Sequence, residues 1–211
     1  MIQQGKINLT NILVAAVGVF FTAAGAVFNN CAGLGNDCIG IVYDGMRVFF
    51  GLSQAELGTA SNIVNVALVV LLLFIGRRYI SAGTLVYFIP YGFYANIATA
   101  LYGVLSFGDG MVNNVFFSVL GCLSLYFGVA TYITVEIGVD PFTGLVLLLT
   151  EKLKKEYRFV KIGFDLVMIL IGWALGGKVG VVTLLTAVTA GPCIQFFNQK
   201  IKQVLVGPAK V

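Results

Sequence analysis

A single carboxylate, Asp165, stands in the apolar run from Ile162 to Trp173. At the middle of a bilayer such a group costs roughly 2.5–3.5 kcal/mol, so it faces protein or water and binds something there. Protons and small cations are the natural partners of a lone membrane carboxylate. Lys161, one helical turn away, is a plainer partner at the interface. Two more carboxylates follow glycine-containing turns, Asp37 in Gly35-Asn36-Asp37 and Asp140 in Gly138-Val139-Asp140-Pro141. Aspartate followed by proline is a good N-cap with proline at the first helical position. A helix N-terminus carries partial positive charge and free N–H groups, which suit anions or polar solutes. Asn65, Asn96 and Gln195 complete the polar groups inside apolar runs. Each could line a path for a solute, or simply hydrogen-bond between helices for about 0.6 kcal/mol.

The elements that must hold these residues are membrane helices. The chain is 59% hydrophobic and 10% charged, against about 25% charged in a soluble domain. Residues 7–36, 57–76, 79–108 and 110–135 hold no Asp, Glu, Lys or Arg. About 20 apolar residues span a bilayer core as a helix, so four runs qualify directly. Two more, 162–177 and 179–199, qualify if Asp165 and Gln195 are tolerated. Expected helices are 9–30, 54–75, 80–103, 111–135, 160–176 and 180–199. The first is too long for a leader core and is read as a span. Ser53 and Glu56 form a capping box before the second. Pro90 and Pro192 fall inside the third and sixth, where kinks are expected. Segments 36–52 and 139–153 are too short to span comfortably and read as re-entrant or interfacial half-helices.

The two halves resemble each other. At a shift of 103, Asn11 falls on Asn114, Gly18 on Gly121, Gly25 on Gly128, Gly35 on Gly138 and Asp37 on Asp140. A shift of 100 places Gly76 on Gly176 and Asn65 on Asp165, and one of 99 places Thr84 on Thr183, Gly92 on Gly191 and Asn96 on Gln195. The fold class expected is therefore an all-α membrane protein of six transmembrane helices. Residues 1–107 and 108–211 form two three-helix repeats, each with a short half-helix. Three crossings per repeat invert the second half relative to the first. With six crossings, 11 Lys and Arg fall on one side and two, Arg47 and Lys178, on the other. That places both termini, with Lys6 and Lys210, in the cytoplasm. Eight crossings would make the halves parallel and move Arg77 and Arg78 outside, at 10 against 3. Segment length therefore decides more than charge.

No catalytic set emerges. Histidine is absent, which removes the commonest metal ligand and proton shuttle, and no Ser or Cys stands beside an evident base. The chain is read as not an enzyme, with no cofactor and no metal site. Cys31, Cys38, Cys122 and Cys193 form no CxxC pair and read as small buried hydrophobes, although Cys31 and Cys38 are near enough to bridge on an oxidising side. The basic run from Lys152 to Lys161 suits anionic lipid and needs no nucleic acid.

The order Gly35-Asn36-Asp37, Gly51-Leu52-Ser53, Gly58-Thr59, Gly83-Thr84-Leu85 resembles the YczE/YitT-type bacterial multi-pass membrane proteins. The second half repeats part of it in Gly138-Val139-Asp140-Pro141, Lys161-Ile162-Gly163 and Thr183-Leu184-Leu185, and the likeness covers most of the chain. It implies a bacterial cytoplasmic membrane and no settled substrate. Three functions follow as expectations. The first is a small transporter or channel for a small polar or anionic solute, with Asp165, Asn65, Asp37, Asp140, Asn96 and Gln195 lining the path. The second is a substrate-binding subunit similar to the S components of energy-coupling-factor importers. The third is a non-transporting accessory protein. Partners expected are the lipid bilayer, a small-molecule or ion substrate, and either further copies of the chain or a membrane partner subunit.

Overall fold

The structure, a computed structural model, describes residues 7–206. Lys6, Lys210 and the expected cytoplasmic placement of the two chain ends lie outside the described residues. Within them the chain is helical, with no strand. Its eight α-helices are α1 (Leu9–Ala32), α2 (Cys38–Phe49), α3 (Leu57–Ile75), α4 (Ala82–Leu105), α5 (Met111–Thr134), α6 (Pro141–Leu153), α7 (Tyr157–Ala174) and α8 (Val181–Val206). Four stretches of the described chain are long and apolar enough to cross a membrane: Leu9–Ala32, Gln54–Ile75, Met111–Thr134 and Val181–Val204. At 24 residues α4 is as long, but Pro90, Asn96 and four tyrosines dilute its apolar character. The 18 residues of α7 carry Arg158, Lys161 and Asp165. Helices α1, α3, α4 and α5 thus follow the four charge-free runs, α7 and α8 carry charges, and the two short segments form separate helices of 12 and 13 residues. The sixth expected helix runs further, to Val206, because Lys200 and Lys202 end an apolar run without ending a helix.

At the centre, α1 and α5 cross antiparallel through facing glycines. A Cβ on Gly18 would sit 2.7 Å from the Tyr132 nitrogen and 2.8 Å from the Gly128 oxygen. On Gly25 it would sit 2.5 Å from the Gly121 oxygen and from the Leu125 nitrogen. Gly121 in turn faces Asn29 and Gly25, and Gly128 faces Thr22 and Gly18. Such small-residue contacts let backbones approach where hydrophobic driving force is weak. Under the 103-residue shift these contacts exchange: Gly18 on Gly128 becomes Gly121 on Gly25, and Gly18 on Tyr132 becomes Gly121 on Asn29.

The remaining helices flank this pair. Edge-to-face rings of Phe20 with Tyr94, and the tilted pair Phe28 with Tyr102, lay α4 along α1 in the same direction. Phe127 with Phe197 and Tyr126 with Thr189 lay α8 along α5. Each short helix packs on a long helix from the other half, α2 on α7 and α6 on α3. Gly172 meets Ile41, Gly45 meets Leu175, and Gly144 meets Leu72. One pairing lacks its counterpart. The start of α3 closes on α4, where Gly58 abuts Gly92 and Asn96 and the Gly92 N–H donates to Asn62 Oδ1 at 3.1 Å. By contrast α7 and α8 hardly touch, and Gly163 and Gly191 border open space.

Both short helices return toward the end of the molecule they came from. Gln54, just after α2, reaches Asn30 and Cys31 at the end of α1. Glu151, in the last turn of α6, pairs with Arg78 and accepts from the Tyr79 hydroxyl beside the start of α4. Since α4 runs along α1, α2 ends near the C-terminus of α1 and α6 near its N-terminal end. The capping box of Ser53 and Glu56 then starts the turn into α3.

Candidate functional site

Two turns carry the short helices inward. Gly35 and Gly138 stand at φ 109° and 149°, where a side chain is strained. A Cβ on Gly35 would lie 2.6 Å from the Gly180 nitrogen, and one on Gly138 would collide with Ser81. Each turn is tied to the start of a long helix. The Val182 N–H donates to Leu34 O and the Gly83 N–H to Ile137 O, both at 3.1 Å. Thr84 Oγ1 donates to Val139 O at 2.7 Å. The first-half turn therefore docks on α8 and the second-half turn on α4. Asp37 then caps α2 by accepting from the Ile39 N–H, and Asp140 caps α6 by accepting from the Thr143 N–H at 3.0 Å.

The capped ends face one buried aromatic cluster. Tyr43 of α2 meets Tyr91 at 5.3 Å between ring centres and Phe142 of α6 at 5.9 Å. Tyr87 stacks on Tyr91 at 5.4 Å and meets Tyr132 edge-on at 5.3 Å. The carboxylates of Asp37 and Asp140 both act electrostatically on Tyr43, Tyr87 and Tyr91. The Tyr43 hydroxyl donates to Asn65 Oδ1 at 3.0 Å. Several buried polar atoms here have no partner: Asn36 Oδ1, Asp37 Oδ1, Asn65 Nδ2 and the Tyr132 hydroxyl. Leaving such a group unpaired costs about 1–3 kcal/mol. Groups of this kind persist where a ligand or water completes them.

Asp165 sits at the edge of this centre. It pairs with Lys161 one turn back, as the plainer reading of its spacing has it, and also accepts from Cys38 Sγ at 3.3 Å. Its side chain is 30% exposed, so it is neither free nor fully enclosed. Asn65, Asp37, Asp140 and Asp165 thus gather around the inner ends of the two short helices. Asn96 and Gln195 do not. Both are exposed, Asn96 beside Gly58 and Gln195 on the open flank of α8. The inward face of α4 is taken instead by Tyr87, Tyr91, Ala95 and Ala98, which recur every three or four residues.

A buried charge pair fixes the C-terminal half of α2. Asp44 is fully buried, pairs with Arg47 at 2.8 Å and accepts from the Lys178 N–H at 2.9 Å. The four cysteines are unbridged, Cys31 lying against Gln54 and Cys38 against Asp165. The tyrosines carry little signal in the sequence. Their one signal there is the four-residue spacing of Tyr87 and Tyr91 around Pro90.

A family model described as a family of unknown function, DUF6198, matches residues 9–199. The chain is 28% identical over 147 residues to an uncharacterized membrane protein, YczE, of Bacillus subtilis, covering 70% of this chain and 66% of that protein. It is 27% identical over 142 residues to an uncharacterized protein of Haemophilus influenzae, covering 67% of this chain and 63% of that one. The matches thus take in a little under two thirds of each relative's length. No solved structure matches. Apolar helices and a membrane-protein relative agree on a multi-helix membrane protein.

Proposed function

The chain belongs to the DUF6198 family of unknown function, and we propose that it is a small transporter or channel of the bacterial cytoplasmic membrane that passes a small polar solute between two inverted repeats. The observation that carries this reading is the meeting of the capped ends of α2 and α6 at a buried tyrosine and asparagine cluster with unpartnered polar atoms. Interrupted helices whose ends meet inside a bundle are a recurrent way to build a solute site near the bilayer midplane.

Six crossings follow from this reading, made by α1, α3, α4, α5, α7 and α8, with α2 and α6 entering from opposite faces. Support comes from Gln54 lying beside Asn30 and from the pairing of Arg78 with Glu151, which an eight-crossing chain would put on opposite faces. The exchange of glycine contacts between α1 and α5 supports repeats related by a two-fold axis in the membrane plane. The face holding Arg77, Arg78 and the run from Lys152 to Arg158 is then cytoplasmic.

Asp37 and Asp140 already occupy both helix N-termini, which favours a neutral or cationic solute over an anionic one. The gap between α7 and α8, against the closed contact of α3 with α4, favours a transporter caught open on one side over a permanent pore. A thermal-shift screen of the purified protein against ions, amino acids, nucleobases, vitamins and organic acids tests the reading. A ligand at 100 times its Kd stabilises by about 2.7 kcal/mol. The expected hit is abolished by Asn65→Ala and kept by Gln195→Ala. A hit indifferent to Asn65→Ala, or no hit on a well-behaved sample, counts against a site at this centre.

A further inference from the structure

We propose that Asn36 and Asp37 hold a monovalent cation at the inner end of α2, which rests on the transport reading and deepens it by supplying its coupling ion. Asn36 is 2% exposed, yet its Oδ1 has no hydrogen-bond partner. Asp37 uses Oδ2 to cap α2, accepting from the Ile39 N–H at 3.2 Å, while its Oδ1 lies against Gly40, whose N–H is directed at the carboxylate but stops short of hydrogen-bond geometry. The two idle oxygens converge. A Cβ built on Gly40 would stand 2.7 Å from Asp37 Oδ1 and 2.9 Å from Asn36 Oδ1.

Two acceptors turned toward one small volume repel each other unless a positive charge or a donor stands between them. The protein cation nearest in charge effect, Lys161, does not serve them. It is engaged by Asp165, a pair that is neutral as a whole. Asp37 therefore has the N-terminus of α2, but no side-chain cation of its own, beside a neutral amide oxygen. The chemistry fits an alkali cation, or a proton shared between the two oxygens. The titratable and charged groups near Asp37 are Cys38 and Tyr43 of α2, Lys161 and Asp165 of α7, Tyr87 and Tyr91 of α4, and Cys122 of α5.

The test is the melting temperature of the full chain in detergent, in sodium, potassium or choline chloride at constant ionic strength, repeated across pH. The expected result for an alkali ion is a saturable, sodium- or potassium-specific rise of about 5 °C. For a proton it is a comparable rise on acidification with no preference among the salts. Either response must vanish in Asp37→Asn, which keeps a good N-cap and so keeps the fold, and must weaken in Asn36→Ala. Glu56→Gln, at an exposed site, is expected to respond like the wild type. Melting indifferent to salt identity and pH overturns the proposal, and would mean that the Asn36 amide turns its NH2 group to Asp37 instead. A response unchanged in Asp37→Asn overturns it equally. Solute binding or uptake that persists without any such response would leave the transport reading standing and remove only this site.

Discussion

Asp44 shows how much a buried charge in this chain depends on its partners. It holds Arg47 and the backbone of Lys178 at once, with no exposure of its own. Removing it leaves a mostly buried guanidinium unpaired, so Asp44→Ala is expected to cost about 3–5 kcal/mol. Denaturation of the purified protein reads that loss, and Arg47→Leu in the same chain should recover part of it. Tyr43→Phe should cost about 1–3 kcal/mol, because the buried Asn65 Oδ1 then loses its hydroxyl donor. Tyr94→Phe, in a hydroxyl-independent ring contact, should be close to neutral by the same measurement. At this scale the sequence was partly readable. Asp37 and Asp140 announced themselves as caps by their glycine turns, and Asp165 by its isolation. The tyrosine cluster was not readable, since a tyrosine in an apolar run serves equally as a filler, an interfacial anchor or a site residue. Asn96 and Gln195 lie away from this centre, and the sequence could not place them because an amide in a span does not reveal which face of its helix is inward.

Helices are positioned here mainly by what glycine leaves out. Gly18→Ala places a methyl group 2.7 Å from backbone on α5, so it should destabilise strongly or abolish folding. Gly191→Ala, facing open space on α8, should be tolerated or slightly stabilising. Expression and melting temperature of the two variants distinguish close helix approach from mere abundance of glycine. Four of the long helices were legible as charge-free runs, α7 and α8 as apolar runs with few polar residues, and the short ones by their length. What could not be read was the crosswise docking of each turn on a helix from the other half. Those bonds, from Val182 to Leu34 and from Gly83 to Ile137, join residues far apart in the chain through backbone atoms that carry no sequence signature.

For the whole molecule, the proposed repeats 1–107 and 108–211 interlock rather than stand side by side. Each supplies the helix on which the other's short helix rests. Their likeness was legible because matching glycines and carboxylates keep their order. Some departures from it were not, because open Gly191 against closed Gly92 sets two identical residues in different surroundings, a difference that only packing reveals. The central claim of the proposed function is that α2 and α6 enter from opposite faces of the membrane. The most direct measurement is labelling of Phe50→Cys and Lys155→Cys, each in a chain whose four cysteines are replaced by alanine, with a membrane-impermeant maleimide. Phe50 and Lys155 are exposed, one just past the end of each short helix. The expected result is labelling of Phe50→Cys only from outside the cell and of Lys155→Cys only from the cytoplasmic face. Labelling of both from the same face would mean that the short helices span, that the halves are parallel, and that the inverted-repeat account is wrong.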